Sequence, residues 1–341
     1  MSNTSEPVAY RDLFVLSLYF VEGCILLASN GLLLAIILKH EALRVRKQFI
    51  LIGGLALADA LQAGLGNVAA AFYRIPLVLE HKHRDPQHRL TCLLTLHNLV
   101  WIFSQSCSPL MMLAVSVDRY LAVRIPLYYL KLDRTYALLI TGTIYSYCLT
   151  EVAIVAQRVY QENTFDALKM CFTSHAMLSF DYRLHFARNT LLAILSIIAY
   201  IFIIGRVEQM TVHGNNNNNN GSSTMAELAW EKRLTRSVGL SCLCTFIFYA
   251  VPTALINLLS YFPLLYAELV GFVWIVTCIN PLCNLAIYVK KQEDIQKGLM
   301  ALIACKKMPA DLNAWHANRR ALRSLKQPTR QYQVAPADIE L

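Results

Sequence analysis

Asp118-Arg119-Tyr120 is the grouping of charged side chains in this sequence best placed to do chemistry. It lies where an apolar stretch, Leu90–Val117, gives way to more polar sequence. An acid and a base at a boundary between hydrocarbon and water form an ion pair whose Coulomb energy depends on how well neighbouring helices exclude water. Such a pair suits a switch between two packings. A bare Asp-Arg pair is more often an interface anchor. Tyr120 and the downstream Pro126-Leu127-Tyr128-Tyr129 weigh toward the switch.

Further polar residues stand inside apolar sequence. Asn30 lies in Ser29-Asn30-Gly31, Asp59 ends Leu55-Ala56-Leu57-Ala58-Asp59, and Asn280 precedes Pro281. An ionisable group in a membrane span is costly and functional by default, whereas a lone Asn is often only glue between helices. At matching depth, these three read as one buried polar cluster. Glu22 and Glu151 are also ionisable groups within apolar runs, and Arg158, two turns on, is the expected partner of Glu151.

The elements that must position these residues are membrane helices. Of 341 residues, 56% are hydrophobic and 16% charged. Soluble domains have roughly 45–50% and about 25%. Apolar segments recur at Leu13–Leu38, Phe49–Ile75, Leu90–Val117, Tyr136–Ala156, Phe186–Ile204, Val238–Leu259 and Leu269–Val289. Each meets or approaches the roughly 20 residues needed to cross a bilayer. The expected fold is an all-α membrane bundle of seven spans over 13–289, after a short extracellular N-terminus, 1–12. The first run is too long for a cleaved signal and lacks a small-residue cleavage pattern, so it is expected to remain as a span.

Basic residues set the topology. Segments 39–48, 118–135, 205–237 and 290–341 share one side and hold 22 of the 31 Lys and Arg residues. The positive-inside rule puts the N-terminus outside and the C-terminus in the cytoplasm. Asn3-Thr4-Ser5 is then a glycosylation site on the outer side. The net charge of +9 reads as attraction to an anionic leaflet, not to nucleic acid. The run Asn215–Asn220 marks a disordered insert, 213–224, with no ligand or metal reading. Lys290-Lys291 introduces an apolar stripe of Ile295, Leu299 and Leu302, which suits an interfacial helix over 290–305. Gly298 weakens it, Cys305 is a candidate for acylation, and 306–341 is a cytoplasmic tail.

The Asp118-Arg119-Tyr120 motif, Asp59, Asn30, Asn280-Pro281 and the span order together resemble the rhodopsin-like G-protein-coupled receptors. The resemblance implies a non-enzymatic exchange factor at the plasma membrane, with a heterotrimeric G protein and an extracellular small molecule or peptide as partners. It implies a polar core of Asn30, Asp59 and Asn280 holding a sodium ion, and a switch including Tyr200 and Pro281. It also implies a bridge from Cys92 to Cys171, which both face the oxidising side. Cys92 lies two residues farther from Arg119 than in the family pattern. Other departures are Asn284 and Ala250, where the family carries Tyr and Trp, and Lys232, where it carries an acid beside Glu231. Ser104-Gln105-Ser106 through Arg119, then Ala122 through Tyr129, resemble the nematode serpentine chemoreceptors of class sx. A neuropeptide receptor is the alternative within the superfamily.

A ligand pocket is expected between spans three, five, six and seven. One helical face read outward from Arg119 gives Ser108, Gln105, Trp101 and Asn98. Trp101 and Trp274 fall where amine receptors and opsins carry their ligand-binding Asp and Lys, which argues against both classes. Asn257, Tyr261, Tyr266 and Glu268 are rim candidates. Rival readings of another class are a transporter, expected to show paired interrupted helices, and a ligand-gated channel with its N-terminus inside. The single deep carboxylate Asp59 and the basic-residue asymmetry argue against them.

Overall fold

The computed structural model describes residues 6–214 and 238–304. Asn3, Glu231, Lys232, Cys305, the tail and nearly all of the Asn-rich insert lie outside the described residues. Among the described residues, seven helices are long and apolar enough to cross a membrane. They are Tyr10–Lys39, Lys47–Leu79, Leu96–Arg124, Arg134–Gln161, Ser179–Ile203, Val238–Leu259 and Glu268–Lys291. Hydrocarbon offers no partner to a backbone N–H or C=O, so each segment satisfies its own in a helix. Large apolar side chains such as Leu139, Leu149, Phe202 and Leu243 are left exposed, as a lipid-facing surface requires.

The second and third spans are the most buried and the fourth the least. Only a single stripe of the fourth, Ala137, Cys148, Val155 and Val159, is buried. Two spans contain a wide, π-helical turn. In the second it covers Ala60–Leu65, directly after Asp59. There the Gly66 N–H reaches back to the Leu61 carbonyl instead of Gln62. In the sixth it covers Phe246–Ala250, just before Pro252.

The third span differs from its expected bounds at both ends. Arg89–Leu93 is a separate short helix, and an extended Thr95 intervenes before the span begins at Leu96. Cys92 therefore lies outside the spanning helix, and the break takes up the extra residues between it and Arg119. At the other end the helix continues to Arg124, so Asp118 and Arg119 are inside it. The first and fifth helices also extend beyond the apolar runs, as Glu6–Lys39 and Ser179–Gly214.

At the basic end, the chain turns at Gln292 and continues as the helix Glu293–Ile303. Glu293 and Asp294 occupy its first turn, where negative charge suits the helix dipole. Gly298 supports this helix rather than weakening it. A Cβ there would stand 2.6 Å from Ile36 Cγ2, so glycine permits close contact with the first span. His40 Nε2 lies 3.1 Å from the Gly298 carbonyl, and Arg46 Nη1 donates to Asp294 Oδ2 at 2.5 Å.

Candidate functional site

At the basic end, Asp118 and Arg119 are both buried, at 1% and 2% exposure, rather than lying at a water boundary. Arg119 Nη2 and Nε donate to Asp118 Oδ2 at 2.5 and 3.1 Å. Tyr129 completes the group. Its hydroxyl accepts from Arg119 Nη2 at 2.5 Å and donates to Asp118 Oδ2 at 3.1 Å. The short helix Pro126–Lys131 turns the chain back and brings Tyr129 there. Lys47 Nζ sits 3.3 Å from the Tyr129 ring centroid and donates to the carbonyls of Tyr129 and Leu132. Asp118 thus has a second partner for its arginine beside it. The sequence pattern includes Tyr129 but not its contact with Arg119, because the reversal at Pro126 carries it ten positions back toward the arginine.

Tyr120 faces elsewhere. It packs with Val123 and Tyr136 on a cluster built from Leu51, Met111, Met112 and Tyr200. Tyr200 is buried, and Gly239 of the sixth span makes room for its ring: a Cβ there would fall 1.8 Å from the Tyr200 hydroxyl.

Deeper in the bundle, Asp59, Asn30, Asn280 and Pro281 are all buried. Their partners are not the expected ones. Asp59 Oδ1 accepts from Ser108 Oγ at 2.7 Å, and Oδ2 faces Asn284 Nδ2 at 3.5 Å. Asn280 Oδ1 accepts from Thr245 Oγ1, while Asn30 Nδ2 donates to the Leu26 carbonyl one turn back. Asn284, the apparent loss in the sequence motif, therefore joins the carboxylate, and it also accepts from Ser241 Oγ. The Asp59 carboxylate, the Ser108 hydroxyl and the amide oxygens nearby are hard oxygen donors, the type that suits an alkali or alkaline-earth cation.

At the opposite end, Cys92 and Cys171 are bonded. The bridge ties a loop down onto the bundle, aided by the antiparallel strands Pro86–Gln87 and Ala167–Leu168. Arg74, which the charge count placed merely at a span end, is buried at 2% exposure. Its Nε and Nη2 donate to the carbonyls of Met170 and Cys171, both at 2.8 Å. Its guanidinium carbon lies 5.1 Å from the Trp101 ring centroid and 4.9 Å from that of Phe172. The loop is thus pinned by a disulfide and by a cation held between aromatic rings.

The predicted pocket residues do not converge on one cavity. Asn98 is structural: its Nδ2 donates to the Cys92 and Cys171 carbonyls at 2.9 and 3.0 Å. Trp101 and Trp274 meet edge to face at 5.4 Å in the core under the loop. Trp101 Nε1 donates to the Gln62 carbonyl that the wide turn leaves free, and Trp274 Nε1 to Asn67 Oδ1, both at 3.0 Å. Tyr261 is exposed at the rim beside Arg183, and Asn257 is half-buried. Tyr266 pairs with the Tyr182 hydroxyl at 2.8 Å. A groove of about 540 Å³ between the second and third spans is lined by residues including Leu65, Phe72, Tyr73 and His97, none of them a predicted contact.

Gln105 belongs to a charged cluster that sequence reasoning missed. Glu151 does not pair with Arg158. Its Oε1 meets His185 Nδ1 at 2.9 Å and Arg188 Nη2 at 2.7 Å, both on the fifth span. Arg158 pairs instead with Asp181. The fourth span turns Glu151 toward its neighbour, so a same-helix partner two turns away loses. Asp181, His185 and Arg188 recur at helical spacing along the first part of the fifth span, a signal present in the sequence.

The family model described as "7 transmembrane receptor (rhodopsin family)" matches residues 29–288. The comparison with curated proteins returned no match. The match spans the motif at Asp118, the polar core at Asp59, the second to sixth spans whole, the end of the first span from residue 29 and the seventh as far as Tyr288. This chain belongs to the rhodopsin family of seven-transmembrane receptors.

Proposed function

We propose that this receptor converts binding of an extracellular ligand into nucleotide exchange on a heterotrimeric G protein. The observation that carries the reading is the Asp118–Arg119–Tyr129 group. It is buried at one end of the bundle, opposite the disulfide-tethered loop. Removing one partner of a buried charged pair leaves the other uncompensated, at a cost of about 3–5 kcal/mol. Such a group holds one packing of the helices firmly until an alternative partner is offered. The α-subunit is that partner: when the ends of spans five and six move away from span three, Arg119 leaves Asp118 and lines a cavity for it.

The orientation follows from the Lys and Arg distribution, which puts the Arg119 end in the cytoplasm of a cell with this protein in its plasma membrane. The ligand acts from the other side. It shifts the equilibrium only by its differential affinity for the two packings, and about 5.5 kcal/mol takes a population from 1:99 to 99:1. A sodium ion beside Asp59 and Ser108 would favour one packing over the other. A chemosensory role follows from the class sx resemblance around Gln105–Tyr129.

The test is a ligand-panel screen with a promiscuous Gα reporter, followed by nucleotide exchange in membranes of matched expression. Arg119→Ala is expected to abolish exchange while ligand binding persists. Exchange at the parent's level by that variant would overturn the mechanism.

A further inference from the structure

The Glu151–His185–Arg188 cluster lies within the bundle on the disulfide side of Asp59, and the Asp118 lock does not use it. We infer that His185 is a proton-binding site through which acidity on the disulfide side changes the receptor's signalling state. The consequence for signalling rests on the receptor function proposed above; the proton site itself does not.

The geometry is that of a ring with a partner for either protonation state. His185 is 2% exposed, and both ring nitrogens are engaged. Nδ1 faces Glu151 Oε1 at 2.9 Å and Arg188 Nη2 at 3.3 Å; the guanidinium is closer to the carboxylate, at 2.7 Å, and an ionised carboxylate only accepts, so Nδ1 carries hydrogen. Nε2 has two neighbours at 3.1 Å: Asn189 Nδ2 and Gln105 Oε1. Asn189 Oδ1 accepts from Arg188 Nη2 at 3.0 Å, which directs the Asn189 amide nitrogen at the ring. A neutral His185 accepts from Asn189. A protonated His185 donates to Gln105. The proton therefore exchanges one hydrogen bond for another without needing the backbone to move.

The charge around the ring also has room for a proton. Glu151 and Arg188 offset each other, and Glu151 Oε2 is buried with no hydrogen-bond partner. One carboxylate oxygen thus remains to stabilise an added positive charge. The other titratable groups facing the cluster are Tyr147 of the fourth span, which accepts from Arg188 Nη1, and Tyr249 of the sixth, which donates to the Gln105 carbonyl. Cys107 of the third span is within electrostatic reach of Glu151, with Cys148 beside it. The Arg158–Asp181 pair adds a compensated charge pair farther along the fourth and fifth spans. Arg188 is a quarter exposed, so one edge of the cluster reaches the protein surface.

Gln105 links the proton to the switch. It lies on the same helix as Arg119, about 21 Å away at 1.5 Å per residue. Its carbonyl holds Tyr249, in the wide turn before Pro252 of the sixth span. A change at its side chain is felt by the two helices whose separation opens the G-protein cavity.

The experiment uses full-length receptor and two readouts from about pH 5.5 to about pH 8, where histidine ordinarily titrates. One readout is basal nucleotide exchange in sealed, right-side-out vesicles with G protein inside; the other is the thermal unfolding midpoint of purified protein. Parent, His185→Asn, His185→Gln and Glu151→Gln are compared, because His81 and His88 are also exposed to the medium. The parent's exchange is expected to change about threefold or more across the range. The two His185 variants should lose that dependence in both readouts, and Glu151→Gln should move the parent's midpoint about one unit lower in pH. Parent and His185 profiles that superimpose in both readouts overturn the proton site. If the parent exchanges no nucleotide at any pH, the receptor function fails on its own account and the thermal profiles still decide the proton site.

Discussion

The Tyr129 hydroxyl stands 2.5 Å from Arg119 Nη2, so the arginine of the motif is held by a phenol from the following loop as well as by its neighbouring carboxylate. The ring behind that hydroxyl has Lys47 on it, and Lys47 is fastened to the Tyr129 and Leu132 carbonyls. The first and second basic loops are thus joined through the residue that restrains Arg119. Removing the restraint should release the arginine without unfolding the bundle.

Tyr129→Phe is the most direct probe. It keeps the ring on Lys47 and deletes two hydrogen bonds to charged groups, one from Arg119 Nη2 and one to Asp118 Oδ2, each worth about 1.5–3 kcal/mol. Basal exchange is expected to rise, by roughly 10-fold or more if the deleted bonds exist only in the resting packing. Asp118→Asn should also raise it. The pair should be less than additive, since both substitutions release the same Arg119. Basal exchange equal to the parent's in Tyr129→Phe, at matched surface density, would remove Tyr129 from the lock.

The tethered loop has its own signature. Cys92→Ser and Cys171→Ser should each reduce surface expression, and the double variant should be little worse than either. A bridge is one interaction, so losing its second half adds little. Surface immunolabelling is the measurement, and strictly additive losses would contradict the pairing.

Asp59→Asn should preserve folding, because Asn still accepts from Ser108 Oγ, its 2.7 Å neighbour. It removes the charge that a sodium ion needs. Agonist-stimulated exchange measured with and without sodium should therefore lose its sodium sensitivity. A variant that keeps the parent's sodium response would exclude a cation role for Asp59.

Gly66→Ala tests the wide turn of the second span. An added Cβ would meet Trp101 Nε1 at 2.3 Å. Overpacking of this kind costs about 1–3 kcal/mol. The thermal midpoint of the purified receptor should fall. Gly142, with nothing within 4 Å of an added Cβ, is the control: Gly142→Ala should leave the midpoint unchanged or raise it. Equal behaviour of the two variants would mean that the Trp101 contact is not a constraint.

The seven spans were legible because each is a long apolar run, and length alone decides. Asp118 and Arg119 were legible because they are adjacent, so no folding is needed to bring them together. Tyr129 was legible as part of the pattern but its contact with them was not, since its approach depends on the chain reversal at Pro126. Asn284 looked like a degraded motif and is a partner of Asp59, because a motif records residue types and not their contacts. Glu151 was assigned the nearest charge along its own helix, whereas the true partners come from the next one. The wide turns at Ala60–Leu65 and Phe246–Ala250 left no trace in the sequence. A uniformly apolar segment has no polar face, so a slip of one residue in its helical phase does not show.

That slip makes the second span a gear with one tooth too many. Relaxing Ala60–Leu65 to a regular helix would turn everything beyond it by about 100° relative to Asp59, one residue's worth of α-helical rotation. Arg74 would swing off the Met170 and Cys171 carbonyls, and Trp101 would lose the Gln62 carbonyl to Gly66. The lid over one end of the receptor and the carboxylate at its centre are therefore set to each other's angle by a single surplus residue.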